Sequence, residues 1–288
     1  MKKIFLFFIF FYASGFSQAI HQNEVDLFSP ANIKKFADYL YCSGDYLRAA
    51  LEYEKYFSAD PNDTVKFKIA TAYSKIGKYS KASALFDSFH ENSKFFPFAR
   101  MEFFETLFEE KNYPELRDSI SNAGLSNGFI FKEQAKKIYY FSYLYSNESL
   151  PSKSDFLSNF SGPDLNQIKY FYDWKNNPPY KSPLLAALFS AVIPGSGKLY
   201  AGEIADGVTA LLATASLGYL SYTDFKAGHY FRGWLFGGLA AGFYAGNIYG
   251  SAAAAQIYNV KIQFDFENSL KVFINSKNCF VPEINFCK

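Results

Sequence analysis

The sequence predicts a mainly α-helical protein in three parts. An N-terminal α-solenoid of helix–turn–helix repeats comes first, then a C-terminal two-helix transmembrane hairpin, and last a short β-hairpin tail. Three observations carry this reading. A Gly-x-Tyr turn recurs after 33 residues, at Gly44 and again at Gly77. Two long runs, 204–222 and 234–258, contain a single charge between them, Asp206. Between 260 and 274 apolar residues alternate with polar ones.

Composition sets the bounds. A chain of 288 residues has room for two modest domains. Aromatic residues make up 20% of it, which suits helices packed on one another or on lipid. The formal charge is +2, and without Lys2 and Lys3 the two signs balance, so nothing electrostatic points to nucleic acid.

Residues 1–17 read as a secretory signal: Lys2 and Lys3 form the positive start, 4–12 the apolar core, and Gly15, Phe16 and Ser17 the cleavage region. Nine apolar residues are too few to span a bilayer. No cysteine lies nearby, which argues against a lipoprotein. The mature protein is therefore expected outside the cytoplasm, in a bacterial cell envelope.

Residues 18–174 form the helical repeat domain. Ser29 followed by Pro30 is a helix start, because proline suits the first helical position. Gly44, Tyr46, Ala49 and Tyr53 recur as Gly77, Tyr79, Ala82 and Phe86. A third, degraded copy places Tyr113 34 residues after Tyr79 and lacks the glycine. The glycine permits the turn, the alanine allows close helix crossing, and the aromatic fills the space between helices. On these residues the segment 30–123 resembles tetratricopeptide repeats, helix–turn–helix units of about 34 residues. The resemblance implies a concave surface that binds a protein or peptide; on the residues alone, helices that merely pack on one another remain the alternative. Repeats bury their faces only against neighbours, so further helices are expected near 129–146 and 163–174. Residues 175–182 are a polar linker stiffened by Pro178 and Pro179.

Residues 183–258 make the membrane block. The first run, 204–222, reaches about 28 Å as a helix, close to the hydrocarbon thickness of a bilayer. The turn between the runs holds Lys226, His229 and Arg232 among aromatic residues, while Tyr200 and Tyr258 mark the other end. Gly238, Gly242, Gly246 and Gly250 recur at steps of four and form a bare strip for close helix approach. Ala210, Thr214 and Gly218 offer a facing strip at the same spacing. A buried helical pair in a soluble protein is the plain alternative, and self-association into an oligomer the sharper one. Residues 183–193 are apolar but too short to span, and read as an interfacial or re-entrant helix. The run 194–198 tempts toward a phosphate loop, but Val192 and Leu199 stand where that template needs glycine and Ser or Thr.

Ser182, Pro183, Ala186, Ser190, Pro194, Gly195, Gly197 and Tyr200 match a pattern S-P-x-x-A-x-x-x-S-x-x-x-P-G-x-G-x-x-Y. That pattern resembles an uncharacterised bacterial membrane domain of unknown function with a Pro-Gly-x-Gly-x-x-Tyr signature, whose members more often carry Gln where Lys198 stands. The resemblance implies a membrane hairpin and no chemistry.

In 259–288 the alternation of Val260, Ile262, Phe264 and Phe266, then Leu270, Val272 and Ile274, predicts a β-hairpin. Cys279 and Cys287 are placed to pair in an oxidising compartment, with Cys42 a buried small residue. No Cys/His cluster suggests a metal, and His21, His90 and His229 stand in unrelated contexts. Asp206 is the one ionisable residue inside a span; one turn from the end, it reaches headgroups or caps its own helix turn. No catalytic constellation or cofactor motif appears, and the chain reads as a non-enzyme.

These observations predict a membrane-anchored scaffold whose repeats bind a protein partner. The positive-inside rule puts the Lys226/Arg232 turn in the cytoplasm, with the repeats and C-terminus in the periplasm at the inner membrane. The alternative is an oligomeric pore or transport subunit associating through the glycine strip.

Overall fold

The computed structural model describes residues 26–123, 129–276 and 284–287; the signal-like segment lies outside them. The described residues are mainly helical, with no strand among them. Six helices come first: α1 (Pro30–Cys42), α2 (Tyr46–Ala59), α3 (Asp63–Lys75), α4 (Tyr79–Asp87), α5 (Phe96–Glu109) and α6 (Tyr113–Asn122). They stack in chain order, and each odd-numbered helix meets its successor through the same turn. Gly44 and Gly77 hold positive φ angles of 84° and 72° there. In the third turn Lys111 takes that conformation with φ 63°, so the turn survives the loss of the glycine. A side chain in this region costs about 1–2 kcal/mol.

Starts are fixed locally. Asp45 accepts a hydrogen bond from the Arg48 amide at the head of α2, and Asn62 from the Val65 amide at the head of α3. Ala49, Tyr53, Ala82 and Phe86 are fully or almost fully buried, as their repeat positions require. The stack continues through α7 (Lys132–Tyr145), the short α8 (Lys153–Ser158) and α9 (Leu165–Asn176).

After the proline-containing linker come α10 (Pro183–Val192), α11 (Ser196–Ala201), α12 (Ile204–Lys226) and α13 (Tyr230–Ser276). The last two run antiparallel. At the turn, Ser221 Oγ donates to the Gly233 carbonyl at 2.8 Å, and the Phe225 ring meets Trp234 edge-on at 5.5 Å. Among the described residues α12 is the one helix long and apolar enough to cross a membrane, and only 6% of its apolar window is buried. The expected second span, 234–258, lies within α13, no 18-residue window of which is apolar enough to cross a membrane.

Two expectations are corrected here. Residues 260–274 are not a β-hairpin: α13 is one helix of 47 residues, about 70 Å long. Its end is amphipathic at helical spacing, with Phe266, Leu270, Phe273 and Ile274 buried at i, i+4, i+7 and i+8. The period-two alternation coincided with a polar sequence between core positions. Those four side chains join the core of the helical stack. Phe266 lies 5.5 Å from Trp174, and Phe273 lies 5.4 Å from Phe171.

The second correction concerns the cysteines. Cys287 is bonded to Cys42, not to Cys279, which lies outside the described residues. Cys42 is exposed at the end of α1, not buried. Phe286 brings the tail there. Its ring packs among Tyr41, Phe67 and Phe95 at 6.0–6.5 Å, beneath the Lys68 ammonium at 5.1 Å.

Candidate functional site: the groove between α12 and α13

The family-like motif builds the head of the apolar pair. Ser182 caps α10 by accepting from the Leu185 amide at 3.3 Å, with Pro183 at the first helical position. Pro194 and Gly195 then reverse the chain. A Cβ on Gly195 would lie 2.0 Å from the Gly207 carbonyl oxygen, and one on Gly197 would lie 1.8 Å from that of Ala186. These two glycines let α11 sit directly on α10 and α12, a contact no side chain permits. Ser190 Oγ accepts from the Gly197 amide at 3.0 Å and shares a 2.6 Å hydrogen bond with Ser251 of α13. The Tyr200 hydroxyl accepts from the Ser182 amide at 3.2 Å. Behind it, the Asn259 amide accepts from the Lys181 N–H at 2.7 Å and donates to its carbonyl at 2.9 Å. Of the motif's hydroxyls, those of Ser190 and Tyr200 join separate segments and that of Ser182 caps its own helix.

The expected glycine strip is placed differently. Gly238, Gly242 and Gly246 have nothing within 4 Å of a Cβ position, and neither has Gly218. Gly250 alone meets a neighbour, the stem of Lys198. Within this chain the strip is not a backbone-to-backbone contact. It forms one wall of an open groove of about 690 Å³, whose other wall carries Ala210 and Thr214.

Polar groups converge at one end. Lys198 Nζ stands 3.9 Å from the Asp206 carboxylate, and the aspartate side chain remains 69% exposed. Asn247 is 5% exposed, and both its amide nitrogen and its amide oxygen lack a partner among the described residues. Thr214 Oγ1, farther along the groove, is likewise buried and unpartnered. A buried amide left unpaired costs about 1–3 kcal/mol for each group. A mainly apolar recess with a few aimed polar groups is the usual form of a small-ligand site.

Of the residues that sequence reasoning singled out, the structure brings Ala210, Thr214, Gly238, Gly242, Gly246 and Asp206 together around one recess, while Gly218 and Gly250 are not among its lining. It overlooked Lys198 as a partner of Asp206, and Asn247 altogether. Asn247 was findable as an amide inside an otherwise weakly polar run.

On the helical stack, a second polar cluster lies beneath the tail. The Asp38 carboxylate accepts from Lys34 at 2.8 Å, Lys68 at 2.5 Å and the Tyr53 hydroxyl at 2.6 Å. Burial pushes its pKa up, but the hydrogen bonds from Lys34, Lys68 and Tyr53 outweigh that and hold it below its ordinary 3.8. No group of three or more metal-binding side chains occurs among the described residues. His90 and His229 are far apart in the chain, one after α4 and one at the α12–α13 turn, and His21 lies outside the described residues.

Compared with protein-family models, curated proteins and solved structures, the chain matches none of them significantly.

Proposed function

We propose that the protein is a non-enzymatic scaffold, anchored in the inner membrane by α12 and the first half of α13, whose tetratricopeptide-like repeats bind a protein partner in the periplasm. The observation that carries this is the continuity of α13. Its first half lies in the outward-apolar pair and its last turns fill the core of the helical stack. A single rigid rod then holds the repeats at fixed height and orientation on the anchor.

The distribution of apolar side chains supports the anchor. Leu188, Val192, Leu212, Leu235, Phe243 and Ile257 all point outward from α10, α12 and α13. Water would penalise such a surface, while hydrocarbon does not. Tyr219, Tyr222, Tyr230 and Trp234 are exposed at the turn, where rings favour the headgroup level. The Cys42–Cys287 bond supports an oxidising compartment for the repeats. At the start of the stack, α1 and α2 leave Phe36, Tyr39, Leu47 and Leu51 exposed, and a partner could cover them as a further repeat would.

The test is protease accessibility in spheroplasts, followed by a carbonate wash. A protected fragment of α12 and α13 in the pellet, with the repeats digested from outside, is the expected result. Release of the whole chain into the carbonate supernatant refutes the anchor. Protection of the repeats refutes the orientation.

A further inference from the structure

We infer that the groove between α12 and α13 is a binding site for one membrane phospholipid with a zwitterionic, ethanolamine-type headgroup. This rests on the membrane reading of α12 and α13 above.

The dimensions agree with one leaflet. From Asp206 to Thr214 the groove follows eight residues of α12, and from Gly238 to Asn247 nine of α13, which is about 12–14 Å along the helices. Half the hydrocarbon core is about 15 Å. Its polar end lies at the level of Lys198 and Asp206, beside the head of the pair and the linker to the repeats. Its far end, between Thr214 and Gly238, falls near mid-bilayer. A lipid of the repeat-side leaflet thus has its head at the charged pair and a chain along the strip.

The chemistry agrees at both ends. Lys198 and Asp206 are 3.9 Å apart, too far for a hydrogen bond, with Asp206 well exposed and Lys198 21% exposed, so each keeps capacity for an outside partner. A phosphate suits the ammonium of Lys198, and a primary ammonium suits the carboxylate of Asp206. A purely anionic head would face that carboxylate unfavourably. Below them Asn247, almost completely buried and unpartnered, presents a donor and an acceptor to the groove. The ester region of a phospholipid accepts from the amide N–H, and a trapped water can donate to its oxygen. Deeper still, the bare Gly238–Gly242–Gly246 wall leaves room for a slender acyl chain and offers no side chain to block it.

The experiment adds palmitoyl-oleoyl phosphatidylethanolamine or phosphatidylglycerol to delipidated full-length protein in mild detergent and reads retained lipid by native mass spectrometry. One phosphatidylethanolamine per chain is expected, retained at least tenfold more than phosphatidylglycerol. Gly242→Leu puts a side chain into the groove from a wall where a Cβ meets nothing within 4 Å, and should abolish retention; Asn247→Leu should weaken it about tenfold. Asp206→Asn should narrow the preference over phosphatidylglycerol, a change that a purely structural role for Asp206 would not produce. Equal retention by wild type and Gly242→Leu overturns the inference. So does a wild-type dimer mass that Gly242→Leu removes, because a second copy then occupies the strip. A parallel carbonate wash separates the two levels: protein that stays in the pellet but retains no lipid refutes only the lipid site, whereas protein released from the pellet refutes the anchor as well.

Discussion

If α13 couples anchor and repeats by carrying a fixed helical face between them, two residues inserted into it should uncouple them while seven should not. Two alanines placed between Ile262 and Gln263 rotate everything beyond by about 200°, at 3.6 residues per turn. Phe266, Leu270, Phe273 and Ile274, now 0–9% exposed, would then face away from the core. Each such side chain is worth about 1.5–3 kcal/mol of burial, so their joint loss is about 6–12 kcal/mol as an upper bound. That is comparable with the whole stability of an ordinary domain, about 5–15 kcal/mol. Seven alanines rotate the segment by about 700°, within about 20° of its original face, while lengthening it by about 10 Å. Urea unfolding of the detergent-solubilised protein, followed by near-ultraviolet signals of the aromatic core, measures both. The two-residue insertion should shift the repeat transition strongly toward lower urea, and the seven-residue one should retain more of the stability. Unchanged unfolding of the two-residue insertion would refute the coupling, because the face would then contribute nothing to the core.

Further outcomes concern Asp38, two glycines and the disulfide. Asp38 has its pKa depressed in the folded state, so its contribution is present above pH 3.8 and is lost as pH falls below that value; thermal scans should show a steeper acid-side loss for wild type than for Asp38→Asn. At pH 7 the same substitution should destabilise, since it removes the carboxylate facing the nearly buried Lys68. Gly197→Ala, driven against the Ala186 carbonyl, should cost about 3 kcal/mol, whereas Gly44→Ala, free of contacts but at φ 84°, should cost about 1–2 kcal/mol; equal effects in thermal unfolding would contradict the packing described. Peptide mapping without reduction should find Cys42 linked to Cys287, and Cys287→Ser should lower repeat stability by up to about 5 kcal/mol given a sequence separation of 245; a Cys279–Cys287 peptide would refute that link.

Much of the helical architecture was legible because it is local. The Gly44 and Gly77 turns, the Ala49/Tyr53 and Ala82/Phe86 core positions and the Ser182–Pro183 helix start each depend on residues within a few positions, and each appears where its spacing puts it. The third copy could be read from Tyr113 although it lacks the glycine, and Lys111 takes the conformation that glycine holds in the first two turns. Misreading 260–274 had a different cause. The helix buries Phe266, Leu270 and Ile274 and leaves Val260, Phe264 and Val272 exposed, and the alternation by itself does not say which of the apolar residues find a partner.

What the sequence determined by itself is most of the helices before residue 260, the 33-residue spacing of the first turns, and the presence of an apolar block with a glycine strip, because propensity, capping and hydropathy act over one or two turns. Only the tertiary structure decided that α13 serves both halves, that Cys287 reaches Cys42 across the chain, and that the strip faces an open groove with Asn247 buried at its polar end. Those are relations between residues far apart in the chain. They are settled by which faces come to pack together, and no local pattern carries that information.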